Sequence, residues 1–129
     1  MFSKVTLLLG LLVLRTQVWA IPSGFTDISK NLNGFMMSVE FAVFQYNEDI
    51  EDEYAFKLLR IRRSQHKRHT WLYLMDLEMG RTICKKHDED LENCPLQEGQ
   101  GEKKVSCTFI VSTIPFYTQF TLLNSTCVD

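Results

Sequence analysis

Four cysteines and three histidines are the residues of this chain with the widest chemical range. Cys84, Cys94, Cys107 and Cys127 stand ten, thirteen and twenty residues apart. In an oxidising compartment an even count of cysteines reads as disulfides, and counting alone leaves their pairing open. Zinc modules bring their cysteines in close pairs, which these intervals do not resemble. His66 and His69 lie three apart, and His87 lies elsewhere. A hydrolytic metal site needs converging ligands and a nearby general base. Turn or strand context does not put His66 and His69 on one face. Paired thiols leave no cysteine nucleophile, and no glycine-rich phosphate loop or nucleophile elbow is present. The residues therefore predict no metal, no cofactor and no enzymatic reaction.

Two further motifs carry chemistry. Arg60, Arg62, Arg63, Lys67 and Arg68 place five permanent positive charges within nine residues. Such a run meets sulfated glycosaminoglycan or an anionic membrane surface through simple charge. It also suits a solvated edge strand and loop, because basic residues keep exposed edges from aggregating. Asn124-Ser125-Thr126 is a glycosylation sequon, with Asn124 as its acceptor in an exported chain.

Export is itself an expectation of the first twenty residues. Lys4 gives a positive start, residues 5–14 are almost wholly apolar, and Val18-Trp19-Ala20 offers small residues before a cut. This is the layout of a secretory signal peptide, residues 1–20, cleaved after Ala20. The apolar run is about half of the roughly 20 residues a bilayer-spanning helix needs. The 129-residue chain, 45% hydrophobic and 23% charged, then leaves one globular domain, residues 21–129. Without Lys4 and Arg15 it carries 12 basic against 16 acidic residues, a net charge of −4. That balance argues against nucleic-acid binding by the whole surface. A secreted, extracellular protein with no transmembrane segment is expected.

The elements that must position these residues follow from periodicity. Residues 21–29, with Pro22, Ser23 and Gly24, read as a flexible arm. Phe35, Val39, Ala42, Val43 and Tyr46 recur at helical spacing. Gly34 weakens the start of that helix. The stripe ends at Asn47, and the acidic run 48–53 reads as a solvated loop. Strands are predicted over residues 54–63, 71–79, 107–112 and 120–123. In the second of these, Tyr73, Met75, Leu77 and Met79 share one face, while Asp76 and Glu78 share the other. Trp71, Phe109 and Phe120 are expected in the core. Residues 81–106 form a long polar excursion between the second and third strands. The sum is an α+β domain, one helix packed on a curved antiparallel sheet of four to five strands.

Val39-Glu40-Phe41-Ala42-Val43 with Tyr46-Asn47, Met75 through Thr82 with Cys84, and Leu91-Glu92-Asn93-Cys94-Pro95 together resemble the secreted, type 2 cystatins. The ending Phe120 through Cys127 resembles the cystatins of the male reproductive tract. Members of the family inhibit papain-like cysteine proteases. The resemblance implies the pairing Cys84–Cys94 and Cys107–Cys127, each bridge worth roughly 3 kcal/mol on the chain-entropy model.

The family blocks its proteases with a three-part wedge and no catalysis. The parts are an N-terminal arm with a glycine hinge, a first hairpin of pattern Gln-x-Val-x-Gly, and a second hairpin with Pro-Trp. By resemblance Gly24 falls near the hinge. The first hairpin falls on His66, Lys67, Arg68, His69 and Thr70, where none of the three defining residues is present. The second falls on Pro115-Phe116, which keeps an aromatic anchor and loses the indole donor. Glu51 stands where some members carry a legumain-blocking asparagine, so inhibition of that protease is not expected. Lys67 and Arg68 would face a catalytic imidazolium. At about 5 Å and an effective dielectric of about 20, each such charge costs roughly 3 kcal/mol. That is about a hundredfold in affinity. Weak or absent inhibition of papain-like enzymes is the expectation.

Overall fold

The apolar stripe becomes helix α1 (Asn33–Asp49), which buries Phe35, Ser38, Val39, Ala42, Val43 and Asn47. The computed structural model describes residues 24–114 and 119–129. Gly34 lies in the first turn of α1, where an added Cβ would stand 2.8 Å from the Tyr73 hydroxyl. The residue that weakens helix propensity therefore lets the helix close onto the sheet. Ser38 Oγ donates to the Gly34 carbonyl at 2.9 Å, which satisfies a buried hydroxyl.

Five strands receive the helix: β1 (Phe25–Asp27), β2 (Tyr54–Lys67), β3 (Leu72–Lys85), β4 (Lys104–Ile114) and β5 (Gln119–Val128). They form one antiparallel sheet in chain order, with α1 in the connection between β1 and β2. The β2–β3 ladder shifts register between Tyr54 and Phe56, Leu58 and Arg60, and Ile61 and Arg63. Each irregularity adds local bend and twist. Together they curl the long hairpin around the helix.

The core lies between helix and concave face. Met75, Leu77 and Met79 from β3 meet Val105, Phe109 and Val111 from β4, and all six are buried. Phe35 packs edge-on against Tyr73 with ring centroids 5.9 Å apart, and Tyr46 packs edge-on against Phe56 at 5.5 Å. Phe41 stacks on Phe120 at 5.4 Å. Burying each large apolar side chain contributes about 1.5–3 kcal/mol.

Several boundaries differ from the sequence reading. The arm is not wholly flexible, since Phe25–Asp27 pairs with β2 through Phe25–Lys67, Thr26–His66 and Asp27–Gln65. The helix continues past Asn47 through Asp49, so the acidic run begins inside it. An acidic last turn opposes the helix dipole. Lys86 offsets this by donating from Nζ to the Ile50 carbonyl. β2 runs on to Lys67, β3 to Lys85 and β5 to Val128, because ladder pairing carries polar residues that lack a strand pattern. Trp71 precedes β3 and is 55% exposed, whereas Phe109 is buried and Phe120 packs at the core margin. A tryptophan at a hairpin tip has no opposing layer to cover it.

Asn47 fixes the helix against the sheet. Its Nδ2 donates to the Phe56 carbonyl at 2.9 Å, and its Oδ1 accepts from the Phe56 N–H at 2.8 Å. Asn47→Ala leaves both buried backbone groups without partners. The expected loss is about 2–3 kcal/mol, read as a lower urea midpoint with an unchanged slope. A variant within about 0.5 kcal/mol of the parent would contradict the clamp.

Candidate functional site

The tip joining β2 to β3 is built from backbone first. Thr70 N–H donates to the Lys67 carbonyl at 3.2 Å, closing a turn over Arg68 and His69. His69 takes φ 62°, the left-handed conformation that glycine adopts most easily. The positive φ thus falls on His69 and not on Thr70, the position where the family pattern has glycine. Thr70 instead ties the turn together: its hydroxyl donates to the Lys67 carbonyl at 2.7 Å and accepts from the Leu72 N–H at 3.2 Å.

His66 is turned inward. Its ring sits 5.3 Å from that of Tyr73, and Nε2 donates to the Thr70 carbonyl at 2.7 Å. It braces the hairpin and does not form part of the exposed tip. Arg68 and His69 are exposed, and Lys67 is half-buried.

The arm lies against this tip. Gly24 has φ 91°, and its carbonyl accepts from the Arg68 N–H at 3.4 Å. An added Cβ at Gly24 would meet the Lys67 side chain at 3.4 Å. A side chain here would be strained by the positive φ, with only ordinary contact to the Lys67 stem. Pro115 and Phe116 lie outside the described residues. The strands flanking them open at the same rim: Ile114 pairs with Gln119, and Thr113 N–H donates to the Trp71 carbonyl at 2.9 Å. Gly24, the first hairpin and the mouth of the second hairpin therefore share one end of the sheet.

The basic run does not stay together. Arg60 pairs with Glu78 at 3.1 Å and Arg63 with Asp76 at 3.2 Å. Asp76 also accepts from the Thr108 hydroxyl at 2.6 Å. Arg62 is exposed at a register shift. Lys67 and Arg68 stand five and six residues beyond Arg62, about 17–20 Å of extended chain. Among the described residues, Arg62, Lys67 and Arg68 have no ion-pair partner.

The histidines do not converge. His87 pairs with Glu48 near the end of α1, away from His66 and His69. Cys84 bonds to Cys94 with Cα atoms 6.0 Å apart, and Cys107 bonds to Cys127, directly opposite it in the β4–β5 ladder, at 4.1 Å. Asp88 lies near the first bridge, but both of its sulfurs are bonded to each other and offer no thiolate to a metal.

Behind α1, Glu51 is exposed and Asp52 is engaged. Arg81 meets both Asp52 oxygens, at 2.8 and 2.9 Å, and reaches Gln97 Oε1 at 3.0 Å. These bonds hold the Asp52 carboxyl below the usual carboxylate range. Arg81 also lies 4.8 Å above the Tyr54 ring. One guanidinium thus ties the post-helix loop, β3 and the polar excursion together.

A model of the Cystatin domain matches residues 23–115. The chain belongs to the cystatin family. It is 64% identical over 126 residues to Probable cystatin-16 of Bos taurus, covering 98% of this chain and 100% of that protein. It is 59% identical over 105 residues to cystatin-12 of Rattus norvegicus, covering 81% of this chain and 82% of that protein. Among solved structures, dimeric human cystatin F is similar with a TM-score of 0.72 and 26% identity, over 85% of this chain and 90% of that one. These relatives place it among the type 2 cystatins, which are protease inhibitors and not enzymes.

In this cystatin the rim holds a residue that the sequence reading put elsewhere. Trp71 is exposed beside Arg68 and His69, and its carbonyl links the first hairpin to β4. Its position directly after a five-residue polar tip was the available signal. The strain at His69 is testable. His69→Gly should raise stability by about 0.5–1 kcal/mol, and His69→Val should lower it by more than about 1 kcal/mol. Thermal unfolding of both variants checks this; equal melting temperatures would contradict the left-handed assignment.

Proposed function

We propose that this chain is a secreted cystatin of the reproductive-tract type that inhibits papain-like proteases weakly or not at all. The observation that carries this reading is the first-hairpin tip. It presents Arg68, flanked by Lys67 and His69, where the family's inhibitory pattern has an uncharged valine. A papain-like site holds a thiolate–imidazolium pair. Cations brought next to that imidazolium repel it. Gly24, Pro115 and Phe116 are the remaining wedge residues by resemblance, and none of them replaces the missing first-hairpin pattern. Glu51 in the post-helix loop supports no inhibition of an asparagine-specific protease. Two disulfides fit an exported chain. Among the described residues no helix is long and apolar enough to cross a membrane.

Titration of the secreted protein against papain and cathepsin L decides the main reading. Residual activity should stay high up to micromolar inhibitor. Nanomolar inhibition of either enzyme would contradict it.

The second reading is a non-inhibitory binding protein that meets a polyanion or an extracellular protein through Arg60, Arg62, Arg63, Lys67 and Arg68. Arg62, Lys67 and Arg68 support it, since they lack ion-pair partners among the described residues. The pairing of Arg60 and Arg63 with carboxylates weakens it. Elution from heparin below physiological salt is expected. Retention beyond physiological salt would favour the polyanion partner instead.

A further inference from the structure

β5 (Gln119–Val128) is the outer edge of the sheet, and among the described residues β4 is the only strand it pairs with. It is ten residues long and contains no Lys, Arg, Asp, Glu or Pro. Every residue in it except Phe120 and Leu122 is exposed, with Leu123 at 55% and Val128 at 63%. The opposite edge, β1, is three residues long and carries Asp27. A long, uncharged, β-favouring edge is a template for pairing with a second copy of the chain.

Folded proteins guard such edges with charge, proline, bulges or cover. Here the register shift between Ile110 and Val111 leaves Leu123 as an extra residue. That bulge interrupts the edge once. Beyond it the edge continues through Asn124, Ser125, Thr126, Cys127 and Val128. The sequon opens this unguarded stretch, and Asn124 is exposed. Asn124 also lies five residues from Gln119, about 17 Å from the hairpin rim. A bulky group there would cover the edge and leave the wedge clear.

We propose that Asn124 carries an N-linked glycan and that this glycan is the edge guard of β5, preventing a second copy from adding strand to strand. The donor is a lipid-pyrophosphate-linked oligosaccharide. A carbon–nitrogen bond forms between Asn124 Nδ2 and the anomeric carbon, the anomeric carbon–oxygen bond to pyrophosphate breaks, and Nδ2 loses one proton. The lipid pyrophosphate is the leaving group. The proposal rests on export of the chain and is independent of whether any protease is inhibited.

The test uses the full chain expressed in secreting eukaryotic cells, with Asn124→Gln and Asn124→Lys beside the parent. Intact mass is measured before and after peptide-N-glycosidase. Light scattering on a sizing column is run over a range of concentrations. The parent should lose the mass of one glycan on digestion and elute as a monomer. Asn124→Gln should form oligomers as concentration rises. Asn124→Lys should lack the glycan yet remain monomeric, because a charge guards the same edge. Circular dichroism of both variants distinguishes edge pairing from misfolding. Secreted parent with unchanged mass would overturn the glycan. A folded Asn124→Gln that stays monomeric, or an Asn124→Lys that oligomerises equally, would overturn the guarding role. Parent retained in the cell with residues 1–20 intact would overturn the export reading and the glycan with it.

Discussion

The seating of one helix in a curled sheet is the constraint from which the rest of the molecule follows. Phe35, Val39, Ala42 and Val43 fill the concave face, and Asn47 locks the helix end to the backbone of Phe56. A flat sheet could not enclose them. The bulges of β2 supply the bend, at the expense of locally interrupted pairing. Gly34 allows the first turn to come down beside Tyr73, which in turn backs His66 under the first hairpin. The same contacts that close the core therefore hold the rim in shape.

Charge is distributed along this frame unevenly. Carboxylates gather where α1 ends, at Glu48, Asp49, Glu51, Asp52 and Glu53, with Arg81 bound into the cluster through Asp52. Cations gather at the opposite end, at the first-hairpin tip. A chain with a small net charge still carries a field of opposite signs at its two ends. Such a field orients an approaching charged partner. The middle of the convex face is nearly neutral, because Arg60 and Arg63 meet Glu78 and Asp76.

The helix and the inner faces of β3 and β4 were legible in the chain, since Phe35 to Val43, Met75 to Met79 and Phe109 to Val111 follow the two simple periods. Strand lengths were less so. Gln65, His66 and Lys67 show no apolar alternation, and they are strand because β1 and β3 pair with them on either side. β1 itself is three residues with no local signal, defined by its partner. Trp71 was misplaced because size and apolarity argue for burial, while the turn that exposes it depends on a left-handed histidine. The division of the basic run into paired and unpaired members was not legible, since Arg60 and Arg63 find their carboxylates across the ladder. The family resemblance pointed to Gly24 and the first hairpin as wedge parts; that Arg68 N–H and the Gly24 carbonyl bind each other is visible only in the fold.

The proposed loss of inhibition rests on the first-hairpin tip. Restoring the family pattern in place is the most direct measurement: His66→Gln, Lys67→Ala, Arg68→Val and Thr70→Gly in one chain, assayed for papain inhibition beside the parent. The account predicts a gain of at least about a hundredfold in affinity, the scale of one removed charge contact. A folded graft that inhibits no better than the parent would contradict it, placing the loss of function in the scaffold itself.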